Sequence, residues 1–156
     1  MPDPQVVLAD YIEAIAHIGF VVPDLKVAVA EARRLYGLTE SDIRYLPESG
    51  EDALTRFAFF SVGELEFEFI EPCSKEFRET LLSMPSGGAG INHLAWRVRD
   101  IDAALVCLAA HGIRAGHVTP EGVVTIGEKK MVYLDPDTTG GQVIELIEYP
   151  VQKGGQ

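Results

Sequence analysis

The sequence is short of positive charge. Lysine and arginine number 13 against 24 aspartates and glutamates, a formal net charge of −11. Nucleic-acid partners need a basic face for their phosphates, so this balance argues against them. It also opposes long-range attraction of small anions, although local basic residues reverse that within about 10 Å at moderate salt. Cysteine is nearly missing: Cys73 and Cys107 fit a reducing cytoplasm and suggest no disulfide framework. One reads as a loop thiol, the other as a small hydrophobe on a helix. Long apolar runs are missing too. AALVCLAA at 103–110 stops at His111, far short of the ~18–20 residues of a membrane span. The opening MPDPQVVLADYIEA has acidic residues, two early prolines and no basic start, so no signal peptide is expected and the location reads as cytoplasmic.

A hydrophobic fraction of 47% over 156 residues supports one compact domain, or two half-domains sharing a core. The chain also carries one line of sequence twice. AHIGFVVPDL at 16–25 and NHLAWRVRDI at 92–101 each place a histidine seven residues before an aspartate, His17 before Asp24 and His93 before Asp100. The histidines are 76 residues apart. FEFIEP at 67–72 and IELIEYP at 144–150 repeat as well, with Glu68 and Glu145 at an offset of 77. Two anchors that keep one offset to within a residue mark a duplicated module.

Each copy predicts the same elements. Residues 14–22 read as an apolar strand. Asp24 then caps a helix with Leu25, Val29, Ala32 and Leu35 or Tyr36 on one face, and Gly37 ends it. Strands are expected at 42–46, 55–62 and 65–71, the last two joined at Gly63-Glu64. The second copy gives a strand at 91–98 and a helix capped by Asp100, with Ile101, Leu105 and Leu108 as its stripe. That helix stops at Gly112, and strands follow near 113–118, 129–135 and 141–149. A linking helix over 74–84 presents Phe77, Leu81 and Met84, and PSGGAG closes the gap. The expected fold is α+β: two paired βαβββ modules, 14–72 and 91–149, forming a curled mixed sheet around a metal site within one domain spanning 1–156.

The metal follows from strand periodicity, since residues i and i+2 share a face. His17 lies between Ile15 and Gly19, His93 between Ile91 and Ala95, and Glu145 between Val143 and Ile147. On such faces an unpaired polar group costs roughly 1–3 kcal/mol, and an isolated charge far more. Glu68 shares its face with Glu64 and Glu66, the pattern of a solvated edge, and only its correspondence with Glu145 singles it out. Two imidazoles and two carboxylates make a mixed nitrogen and oxygen site for a divalent first-row ion: cobalt, manganese, nickel, zinc or ferrous iron.

These residues resemble the vicinal oxygen chelate, or glyoxalase-fold, superfamily over roughly 14–149. Within it GGAGINHLAWRVRDIDAAL at 87–105 and GEKKMVYLDPDTTGGQVIELIE at 127–148 are similar to the methylmalonyl-CoA epimerases. The resemblance puts His17, Glu68, His93 and Glu145 on the family's four metal positions. It implies interchange of the two epimers at the carbon alpha to a thioester carbonyl, with metal stabilisation of the developing enolate. It names Glu145 as the base. The opposite acid falls in LPESGEDALTRF, where Glu48 fits best beside Glu51 and Asp52.

Lys129 and Lys130 are the pair expected to meet a phosphate or carboxylate of an acyl-CoA, with Arg56, Arg97 and Arg99 as further candidates. Asn92 stands where a second histidine often precedes the ligand and is expected to cost the site nothing. His111 and His117 read as a helix-end cation and a strand-edge residue. The same ligand set also serves a glyoxalase I-type lyase acting on a glutathione hemithioacetal. With iron on two histidines and one glutamate it would serve a ring-cleaving dioxygenase. A non-catalytic binding module of this fold usually has an aromatic-lined cleft, and aromatics here are only 8%. Such modules often pair between chains, so a homodimer is expected.

Overall fold

The computed structural model describes residues 8–48, 52–83 and 90–152. They hold eight strands and three α-helices: β1 Ile12–Val21, α1 Leu25–Tyr36, β2 Arg44–Leu46, β3 Thr55–Val62, β4 Leu65–Pro72, α2 Lys75–Leu82, β5 Ile91–Val98, α3 Ile101–Ala110, β6 Val124–Ile126, β7 Lys129–Tyr133 and β8 Ile144–Glu148. Both copies therefore read βαβββ, and the class is α+β. By contacts the chain divides into two units, 17–94 and 1–16 with 95–156. The division cuts β1 and β5 in mid-strand and does not fall at the linker.

In the 17–94 unit the strand order is β2-β3-β4-β1. β4 is antiparallel to β3 and parallel to β1, so the sheet is mixed. Asp24 caps α1 by accepting the Val27 N–H at 3.0 Å, and Gly37 ends it at φ 70°, a left-handed position where a Cβ is costly. Leu25, Val29 and Ala32 turn inward onto Ile43, Ala58 and Phe60. Burying each large aliphatic side chain there stabilises by about 1.5–3 kcal/mol. Leu35 remains exposed, and Tyr36 lies half out, stacked on Phe67. The expected strand at 42–46 begins only at Arg44, because Thr39 and Asp42 close a capping box over a 3-10 turn at Glu40–Asp42. Ser74 caps α2, which buries Leu81; Met84 lies outside the described residues.

In the other unit the order is β5-β8-β7-β6, with Ala95–Val98 as its part of β5. Asp100 caps α3 through the Ala103 N–H at 2.9 Å. Ile101, Ala104 and Leu108 pack on Val98, Val132, Leu134 and Leu146. The expected strand at 113–118 does not form. Only Ala115 bridges to Leu134, and His117 turns the chain at φ 57°. The third strand of the module is instead β6, a three-residue edge paired with β7.

Candidate metal centre

Register decides which side chains of the 17–94 unit share a face. Arg44 pairs with Phe59, Phe59 with Glu68, and Glu68 with Gly19, so these four form one row across the sheet. His17, two residues before Gly19, shares that face. α1 covers the opposite face through Ala58, Phe60, Phe67 and Phe69. This separation puts the apolar stripe under the helix and the polar residues together.

On the polar face His17 and His93 meet. Their Nε2 atoms are 3.0 Å apart, and Glu68 brings its two carboxylate oxygens to 3.5 Å from His17 Nε2 and 3.6 Å from His93 Nε2. The residues are 5%, 1% and 7% exposed. Phe59 sets its ring edge-on to His17 at 6.4 Å. His93 Nδ1 lies 2.9 Å from Asn92 Oδ1. An amide oxygen only accepts, so Nδ1 carries the proton and Nε2 of the neutral ring presents a lone pair to His17 and Glu68. A 3.0 Å spacing is close to what two nitrogens bound ~2.0–2.1 Å from one ion leave between them. The donor set of this unit therefore fits a divalent ion.

In the other unit Glu145 lies on β8 opposite Tyr133, 4% exposed. Thr119 secures that pair's strand by accepting the Tyr133 N–H at 2.7 Å and donating to the Tyr133 carbonyl at 3.3 Å. His17, His93 and Glu145 are three buried residues with donor atoms suited to a divalent ion. The repeat extends into contacts outside the ligands. Glu71 accepts the Leu25 N–H at the start of α1, and Glu148 accepts the Ile101 N–H at the start of α3 at 2.8 Å. These partners again stand 76 or 77 residues apart.

The remaining expected residues scatter. Glu48 is exposed on the wall of a cavity of about 740 Å³ that Leu46, Arg56 and Phe57 also line. Asp52 is exposed, and Glu51 lies outside the described residues. Lys129 and Lys130 point to opposite faces. Lys129, two residues from Met131 and four from Tyr133, shares the face of Glu145. Lys130 holds Asp102 at 3.0 Å, and that bond with nearby Glu148 raises its pKa. Arg97 pairs with Glu13 at 3.0 Å, and Arg99 donates to the Asp10 carbonyl. Asn92, read from sequence as neutral to the site, is buried against the ring of His93. Gly19 and Thr119 were not singled out in the sequence. For Gly19 the HxG spacing was the available signal; Thr119 offered none.

Fold and buried donors together define a class: α+β proteins of duplicated βαβββ modules with histidine and glutamate gathered on a sheet face. The chain belongs to the Glyoxalase/Bleomycin resistance protein/Dioxygenase superfamily, whose family model matches residues 16–133. It is related to methylmalonyl-CoA epimerases. The mouse protein "Methylmalonyl-CoA epimerase, mitochondrial" is 27% identical over 130 residues, which cover 83% of this chain and 70% of that one. The solved structure of methylmalonyl-CoA epimerase from Mycobacterium tuberculosis superposes with a TM-score of 0.69 at 24% identity, covering 94% of each chain. A structure of methylmalonyl-CoA epimerase in complex with methylmalonyl-CoA and NH4+ superposes at 0.69 with 20% identity, over 92% of this chain and 99% of that one. These likenesses under 25% identity establish the fold. Among the described residues no helix is long and apolar enough to cross a membrane.

Proposed function

We propose that this chain is a metal-dependent epimerase that interconverts (R)- and (S)-methylmalonyl-CoA, or a close 2-substituted malonyl-CoA. The observation that carries the reading is the buried meeting of His17, His93 and Glu68, with Glu145 buried at the matching place in the second copy. The relatives are methylmalonyl-CoA epimerases, one of them seen with methylmalonyl-CoA. His17, Glu68, His93 and Glu145 would hold one cobalt, manganese, nickel or zinc ion, and the two modules would work as one domain. When bound, the ion supplies Lewis-acid stabilisation of the enolate, worth several kcal/mol of barrier.

The chain's own groups move the proton. A Glu145 oxygen takes the hydrogen from the alpha carbon, and the C–H electron pair passes into the thioester carbonyl as the enolate forms. Glu48 delivers a proton to the opposite face, and the carbonyl reforms. Burial of the histidines and glutamates excludes water from the enolate and strengthens their electrostatics. Lys129, on the Glu145 face, would take the substrate's carboxylate or a phosphate. Lys130 is already engaged by Asp102. A homodimer in a reducing compartment, the cytoplasm, completes the proposal.

The test is proton NMR of methylmalonyl-CoA in deuterated water with cobalt-loaded protein. Loss of the alpha-proton signal, abolished by EDTA and by Glu145→Gln, is expected. No exchange by folded, metal-loaded protein would refute the substrate.

A further inference from the structure

His93 is a bulky ring in a space that one missing side chain leaves open. A Cβ built on Gly19 would stand 2.0 Å from His93 Cε1 and 2.5 Å from both ring nitrogens. No real Cβ contact is that short, so even alanine at 19 requires the ring to leave. Gly19 shows no positive φ, so backbone strain does not explain a glycine here. Nor does the strand favour one, because glycine in a strand interior weakens it. Its register partner is Glu68, with His17 two residues earlier on the same face. The ring of His93 thus lies flat over the bare Cα of β1, between the side chains that it meets. The other side of the ring is fixed by Asn92, whose Oδ1 takes the Nδ1 proton at 2.9 Å.

We propose that Gly19 and Asn92 are positioning residues for His93: Gly19 sets where its ring lies, and Asn92 sets which ring nitrogen offers a lone pair. Neither would touch the ion or the substrate. The inference deepens the metal-site reading and rests on it for its consequence, but the ring's position and tautomer exist without any metal. Outer partners of this kind change metal affinity by about 10–100-fold when removed. Asparagine at 92 can therefore serve where sequence reasoning assigned it no effect. It accepts a hydrogen bond while staying uncharged, so it leaves the charge balance of the site to Glu68 and Glu145.

The experiment has a metal-free arm and a cobalt arm. In the metal-free protein at about pH 8, above the usual histidine pKa of about 6.5, nitrogen-15 NMR reads the tautomer of His93. The wild type is expected to hold the proton on Nδ1. Asn92→Ala should lose that preference, and Asn92→Asp, which keeps an acceptor, should restore it. In the cobalt arm, titration of the chain with cobalt chloride should show affinity lowered about 10–100-fold by Asn92→Ala and at least that much by Gly19→Ala, with an altered cobalt absorption spectrum.

Gly19→Ala could act by unfolding the chain, so thermal midpoints of a double-mutant cycle decide. Gly19→Ala should lower the midpoint in the wild type and leave it nearly unchanged beside His93→Ala, where the ring is gone. Equal effects in both backgrounds would overturn the role of Gly19, and a wild-type His93 protonated on Nε2 would overturn that of Asn92. A wild type that takes no cobalt, yet keeps the tautomer and the cycle, would refute the metal reading and leave the positioning intact.

Discussion

Lys129 and Lys130 are neighbours in sequence and work on opposite sides of β7. As a pair they looked like one anion site; alternation divides them, because Lys130 pairs in register with Glu148 and binds Asp102, while Lys129 faces with Glu145. Lys129→Ala is expected to raise KM for an acyl-CoA by about tenfold, one charge-assisted contact's worth. Lys130→Ala should leave KM unchanged, and steady-state kinetics on both variants check the difference. Cys73 gives a second expectation. Burial and then the nearby Glu71 carboxylate push its thiol pKa up. The thiol therefore stays protonated at neutral pH, and alkylation should be slower than for a free thiol, accelerating only above the ordinary range near 8.5. A rate–pH profile on Cys107→Ser protein measures it. At this scale the four donors were legible because each breaks an apolar alternation. Gly19 and Asn92 were not. A glycine's tolerance for a ring 74 positions away leaves no periodic trace, and residues adjacent in a strand normally face apart.

The helices of the two modules begin in the same way, and each beginning is a set of replaceable bonds. Asp24 and Asp100 cap them, and Glu71 and Glu148 reach back from the last strand to the first helical N–H. Asp24→Ala and Asp100→Ala should each cost about 1 kcal/mol in urea denaturation. Glu148→Ala should cost about 1.5–3 kcal/mol, since a carboxylate is lost from a backbone donor. These starts were readable: Asp followed by an apolar stripe placed both helices, and the strands at 55–62 and 91–98 have the expected bounds. The element that failed was 113–118. IRAGHV alternates like a strand, but Gly116 is pressed against Asp135, where a Cβ would come within 2.6 Å, and His117 breaks the extension. β6 escaped notice because three exposed residues, Val124–Ile126, contain too little pattern to distinguish an edge from a loop.

For the whole molecule the duplication is the organising fact. It recurs in sequence, in βαβββ order, in the caps and in the back-reaching glutamates, at one offset throughout. A chain that kept two copies only for packing would not need His17, His93, Glu68 and Glu145 all buried. A net charge of −11 would also be a poor lure for a polyanionic thioester. Raising ionic strength should therefore leave or increase the association rate, the opposite of an electrostatically steered enzyme; stopped-flow binding across salt concentrations reads the sign.

The central claim is that both copies supply one metal site, and a cobalt titration followed by native mass spectrometry tests it most directly. The expected result is one ion per chain, lost from His93→Ala in one copy and from Glu145→Ala in the other. Two ions per chain, or full occupancy in the Glu145→Ala protein, would contradict it.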